Sequence, residues 1–108
     1  MFLAAVLARV FVGEAVAEDW PQFLGPRANC TSTETGLLDK WPASGPPLVW
    51  EKKIGTGYSA PSVRAGRLVL HHRLRNEEII EAFDAATGMA QWRHAYPCNY
   101  QDPYGYNN

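Results

Sequence analysis

From Leu48 onward the apolar residues fall in short runs that alternate with polar ones, and turn-forming residues bound each run. That period of two predicts antiparallel strands over Leu48–Ile54, Ala60–Arg64, Arg67–Arg73, Ile79–Asp84 and Met89–Tyr96. The joints between them have mechanisms. Ala65-Gly66 suits a tight hairpin in which the glycine takes a positive φ, and Arg75-Asn76-Glu77 is a short polar loop between apolar runs. In Asp84-Ala85-Ala86-Thr87-Gly88 the carboxylate can accept from backbone N–H groups two or three residues on while Gly88 turns left-handed. Such a turn fixes the register of the strands on either side.

The pattern before Leu48 is different. Residues Glu18–Pro47 hold Pro21, Pro26, Pro42, Pro46 and Pro47 with Gly25, Gly36 and Gly45, a density that prevents a long helix or a central strand. This irregular lead-in also carries Trp20, Phe23, Leu24, Leu37, Leu38 and Trp41, too many large apolar groups for a free linker, so it is expected to lie against the folded body. Further upstream, the apolar run Phe2–Val12 is followed by Ala15-Val16-Ala17, the layout of an export signal cleaved near Ala17. The run is about half the length needed to span a bilayer, which argues against a transmembrane helix. The expected divisions are thus a signal at 1–17, the lead-in at 18–47, strands at 48–96 and a tail at 97–108.

Composition narrows the functional classes. With 46% hydrophobic and 19% charged residues the chain is globular in type. Ten basic against eleven acidic residues give a net charge of -1 without clustering, which leaves no footprint for nucleic acid. Cys30 and Cys98 are 68 positions apart, so zinc-type and haem-type spacings are excluded. In an exported protein they would form one disulfide or remain two small packed side chains. His71 and His72 are strand neighbours that point to opposite faces, so they do not share a metal ion, and His94 stands apart. Tyr96, Tyr100, Tyr104 and Tyr106 are read as loop packing ahead of a sugar-type platform. No catalytic, cofactor-binding or metal residue is assigned, and no Ser/His/Asp arrangement, P-loop or dinucleotide glycine pattern is present.

One recurrence remains. Leu48-Val49-Trp50-Glu51 and Ala90-Gln91-Trp92-Arg93 each set a tryptophan in a predicted strand, and the tryptophans are 42 residues apart. Four short strands per 40 to 45 residues is the arithmetic of a β-propeller blade. The window Ala82–Trp92 fits A-x-D-x-x-T-G-x-x-x-W at each fixed position and resembles the pyrroloquinoline-quinone (PQQ) repeat of the PQQ-like β-propeller family. Tyr58–Val63 followed by Gly66–Val69 looks like the two innermost strands of such a blade, and Trp20-Pro21-Gln22-Phe23-Leu24-Gly25-Pro26 resembles the opening of many exported members. Asp102–Asn108 resembles a linker into a second blade. The resemblance implies an all-β, antiparallel four-stranded blade of an incomplete propeller, with the remaining blades as its partners. It also implies that Trp92 packs on the turn of a neighbouring blade.

For function the resemblance implies a non-enzymatic scaffold outside the cytoplasm, in the periplasm, cell envelope or medium, that binds protein, polymer or ligand. The alternative is the N-terminal piece of a PQQ-dependent quinoprotein dehydrogenase. That class would bring PQQ, calcium, an adjacent-cysteine disulfide and an Asp base, and none of these carries over to residues of this chain, so no cofactor is expected. A lipid anchor would need a cysteine directly after the signal, where this chain has Glu18.

Overall fold

A computed structural model describes residues 17–37 and 39–104. The expected export signal at 1–17 lies outside the described residues except for Ala17, as do the last four residues of the tail, Tyr106 among them. The described chain is all-β. One open, four-stranded antiparallel sheet has the order β1 (Ser62–Arg64), β2 (Arg67–Leu74), β3 (Glu77–Asp84) and β4 (Ala90–Pro97). Among the described residues no helix is long and apolar enough to cross a membrane.

The predicted joints set this order. Ala65 and Gly66 both take positive φ, 48° and 73°, which matches the twist of a two-residue hairpin. The Asp19 carboxylate accepts from the Ala65 N–H at 3.0 Å and so ties the lead-in to that hairpin. Trp20 and Val63 exchange backbone hydrogen bonds of 2.9 Å, which gives β1 a neighbour on its outer side. β2 and β3 pair over eight residues from Arg67↔Asp84 to Leu74↔Glu77, and β3 pairs with β4 from Glu77↔Pro97 to Ala82↔Trp92. The register slips between Ala82 and Phe83, where Ala90 opposes Phe83 and Gln91 is the additional residue of a bulge.

Alternation along these ladders separates two faces. Leu68, Leu70, His72, Ile79 and Phe83 share one, and Ile79 and Phe83 are each 1% exposed. The other holds Val69, His71, Ile80, Ala82, Trp92 and Tyr96, where Ala82 is fully buried and Trp92 is 44% exposed.

The expected strand at Leu48–Ile54 does not form a ladder. This stretch crosses the Leu68–Phe83 face, with Trp50, Lys52 and Ile54 turned toward the sheet and Leu48 and Val49 left exposed. Its period of two is real, but it places side chains on a face instead of aligning backbone groups on an edge. The β1 edge it would have extended is taken by Trp20. The chain meets β2 at Thr56, which exchanges hydrogen bonds of 2.8 and 2.7 Å with Arg73, then leaves it until Ser62. Pro61 lacks an N–H, which is why β1 starts at Ser62 and not at Ala60. β3 begins at Glu77, two residues ahead of the expected Ile79, and β4 runs from Ala90 to Pro97.

The lead-in is irregular, as its prolines require, and touches the sheet through Asp19 and Trp20. It does not lie against the folded body as expected: Phe23, Leu37 and Trp41 are 80%, 71% and 58% exposed, because its turns close on one another, with Gly25 N–H on the Gln22 carbonyl and Cys30 N–H on the Leu24 carbonyl. Arg27 grips Glu18 with two hydrogen bonds of 2.6 and 2.9 Å, which holds the Glu18 carboxyl at about 2 against its ordinary 4.5. Cys30 and Cys98 are both free thiols, Cys30 exposed and Cys98 half-buried.

Candidate interaction surface

The Asp84–Gly88 turn is the most organised local structure. Asp84 Oδ1 accepts from the Thr87 hydroxyl at 2.8 Å, the Thr87 N–H at 2.9 Å and the Ala86 N–H at 3.1 Å. The Thr87 hydroxyl and then its N–H hold the carboxyl below the usual carboxylate range. Gly88 has φ of 70° and donates to the Asp84 carbonyl at 2.8 Å, while Asp84 donates to the Met89 carbonyl at 2.8 Å.

Trp50 sits on this turn. Its indole N–H donates to the Ala85 carbonyl at 3.0 Å, and its ring lies so close to Gly88 that a Cβ there would fall 2.7 Å from Trp50 Cδ2. The tryptophan 42 residues later behaves otherwise: Trp92 is on the opposite face, and its indole N–H makes no hydrogen bond among the described residues.

Asp84 and Glu18 are both depressed carboxyls, so each contributes stability that is full above its ordinary value and is lost as pH falls through its folded-state value. Acidification should therefore keep the Glu18–Arg27 clasp closed until about pH 4.5, then free it down to about pH 2. Two-dimensional NMR of the Glu18 side-chain carboxyl followed against pH measures this. A Glu18 midpoint at or above 4.5 would contradict it.

The histidines do not converge. His72 is 6% exposed, and its Nδ1 accepts the Gly55 N–H at 3.1 Å, so Nε2 carries the proton and donates to Glu81 Oε1 at 3.1 Å. Arg93 Nε stands 3.7 Å from the same carboxylate oxygen. On the other face His71 Nε2 lies 3.0 Å from Glu78 Oε2, close enough for an ion pair but out of line for a hydrogen bond. His94 lies beside Tyr96, with ring centroids 6.0 Å apart. Among the described residues no group of three metal-ligating side chains gathers.

The tyrosines are also dispersed. The Arg73 guanidinium lies 5.5 Å over the Tyr100 ring, and it is fixed by donating to the Arg75 carbonyl at 2.8 Å and the Cys98 carbonyl at 3.3 Å. Tyr104 N–H donates to Asp102 Oδ1 at 2.9 Å within its own turn.

Under the crossing segment lies an open apolar pocket of about 240 Å³, walled by Trp50, Ile54, Leu68, Leu70 and Phe83. Its two polar residues are Lys52 and Ser59. Sequence reasoning assigned no site residue, and it missed both this pocket and the docking of Trp50. The signal was available in the alternate positions Trp50, Lys52 and Ile54, which mark a surface that faces a partner whether or not the backbone pairs.

Comparison with family models, with curated proteins and with solved structures finds no match for this chain.

Proposed function

We propose that this chain carries one repeat of a PQQ-like β-propeller and serves as a non-enzymatic interaction scaffold outside the cytoplasm. The observation that carries this reading is the seat of Trp50 on the Asp84–Gly88 turn, with its N–H on the Ala85 carbonyl. A tryptophan 42 residues ahead of Trp92 thus occupies the place that a preceding repeat's tryptophan would take on this one. By the same relation Trp92 is the donor to a turn of the next repeat, and its exposed indole, whose N–H bonds to none of the described residues, suits that task. A single four-stranded sheet has two faces to cover, and stacked repeats cover them with one another. Residues 1–17 are read as the export signal, so the mature chain begins near Glu18.

The test is a photo-crosslinking amino acid at position 92 in the native host, followed by mass spectrometry of the adduct. Expected is a mature N-terminus near Glu18 and a crosslink to a turn of the form D-x-x-T-G. Crosslinks spread over unrelated sequences, or an intact Met1 on a cytosolic pool, would overturn the reading. The dehydrogenase alternative predicts binding of PQQ with calcium. Titration of both should leave tryptophan fluorescence unchanged, because the matching residues form a turn and a packing contact and not a cofactor cradle.

A further inference from the structure

The pocket between the crossing segment and the sheet has one side open to solvent. Its walls are apolar and partly wet: Ile54 is 47% exposed, while Phe83 at its floor is 1% exposed. A cavity of about 150 Å³ lined by Leu, Ile and Phe is enough to hold benzene, and this one is about 240 Å³. Trp50 contributes an aromatic surface and Phe83 closes the floor, so an aromatic ring gains contact with the indole beyond the area it buries.

The electrostatics select the rest of the ligand. The Lys52 ammonium stands 5.1 Å from the Phe83 ring centroid and makes no ion pair among the described residues, whose salt bridges all use arginine or histidine. Among the described residues no carboxylate lines the pocket. The nearest acidic residue along β3 on that face, Glu81, is already held by His72 and Arg93. A lone cation beside an apolar, aromatic-walled pocket is complementary to a small molecule with one aromatic ring and one negative charge. We propose that this pocket binds aryl-alkyl monocarboxylates, with the ring against Trp50, Ile54 and Leu68, the carboxylate on Lys52 Nζ and the Ser59 hydroxyl at hand for a second hydrogen bond. The inference stands on this pocket alone and does not depend on the repeat reading.

The test compares 3-phenylpropionate with 3-phenylpropan-1-ol, which share a body and differ in charge, by titration into the full chain followed by two-dimensional amide NMR. Expected is saturable binding of the carboxylate in the millimolar range, with shifts at Trp50, Lys52, Leu70 and Phe83 and about two- to fivefold tighter than the alcohol at low salt. Lys52→Met, which keeps the length of the stem, should erase that preference, so that the two ligands bind with equal affinity. Added salt should weaken the carboxylate alone, a check that needs no variant. Absence of saturable shifts at the pocket, equal affinity for the two ligands, or a preference that survives both Lys52→Met and salt would each overturn the proposal.

Discussion

Gly88→Val is expected to destabilise the chain by about 3 kcal/mol or more, and two separable causes add up to that figure. Valine is β-branched and the site has φ of 70°, a conformation that costs a branched residue about 1–3 kcal/mol. The second cause is steric. A Cβ at Gly88 falls 2.7 Å from Trp50 Cδ2 and 2.8 Å from Cε3, so the indole must leave the turn and its hydrogen bond to Ala85 is lost. Gly66→Val isolates the first cause, because Gly66 has φ of 73° and nothing within 4 Å of an added Cβ. Thermal unfolding by circular dichroism should thus place Gly88→Val clearly below Gly66→Val. In a Trp50→Ala background the difference should shrink, since the clash has no partner. Equal effects at the two glycines in the wild-type background would show that Trp50 is not seated on the turn.

Resemblance suggested that Trp92 packs on the turn of a neighbouring blade, and it did not point to Trp50 as the tryptophan on this turn. The turn was legible because its chemistry is local: Asp84, Thr87 and Gly88 bond to one another within five residues, and nothing distant is needed to predict them. The strands β2 to β4 were legible for a similar reason, since each pairs with its sequence neighbour through a short joint. The role of Leu48–Ile54 was not. Alternation shows which side chains of an extended segment point the same way, but a ladder also needs a free edge, and which edge is free depends on Trp20, some thirty residues upstream. The pocket was hidden by the same fact. Lys52 and Phe83 are brought together only because the segment crosses the face where an edge strand would have lain beside it. His72 shows the limit in another form. Its strand position fixes which face it joins, while its tautomer follows from Gly55, a residue on a segment whose path the alternation leaves open.

Phe83→Ala should cost about 3–5 kcal/mol, and Trp92→Ala about 2 kcal/mol or less, despite the larger side chain removed. Phe83 is 1% exposed on the covered face, where Trp50 and Lys52 of the crossing segment meet Leu68 and Leu70 of β2. Truncation there removes the ring's buried area and leaves a void that the β2–β3 ladder resists closing, because eight paired residues hold the two backbones apart. Trp92 is 44% exposed on the other face, so part of its transfer free energy was never gained, and water fills the space it vacates without a cavity term. The order reverses if Trp92 is buried against a second repeat, where removing the indole would also leave a turn carbonyl without its donor. Denaturant unfolding of both variants therefore reads the state of the Trp92 face directly. A loss for Trp92→Ala that matches or exceeds the loss for Phe83→Ala, in the purified chain at low concentration, would mean that this face is already covered and that the open sheet described here is not the form in solution.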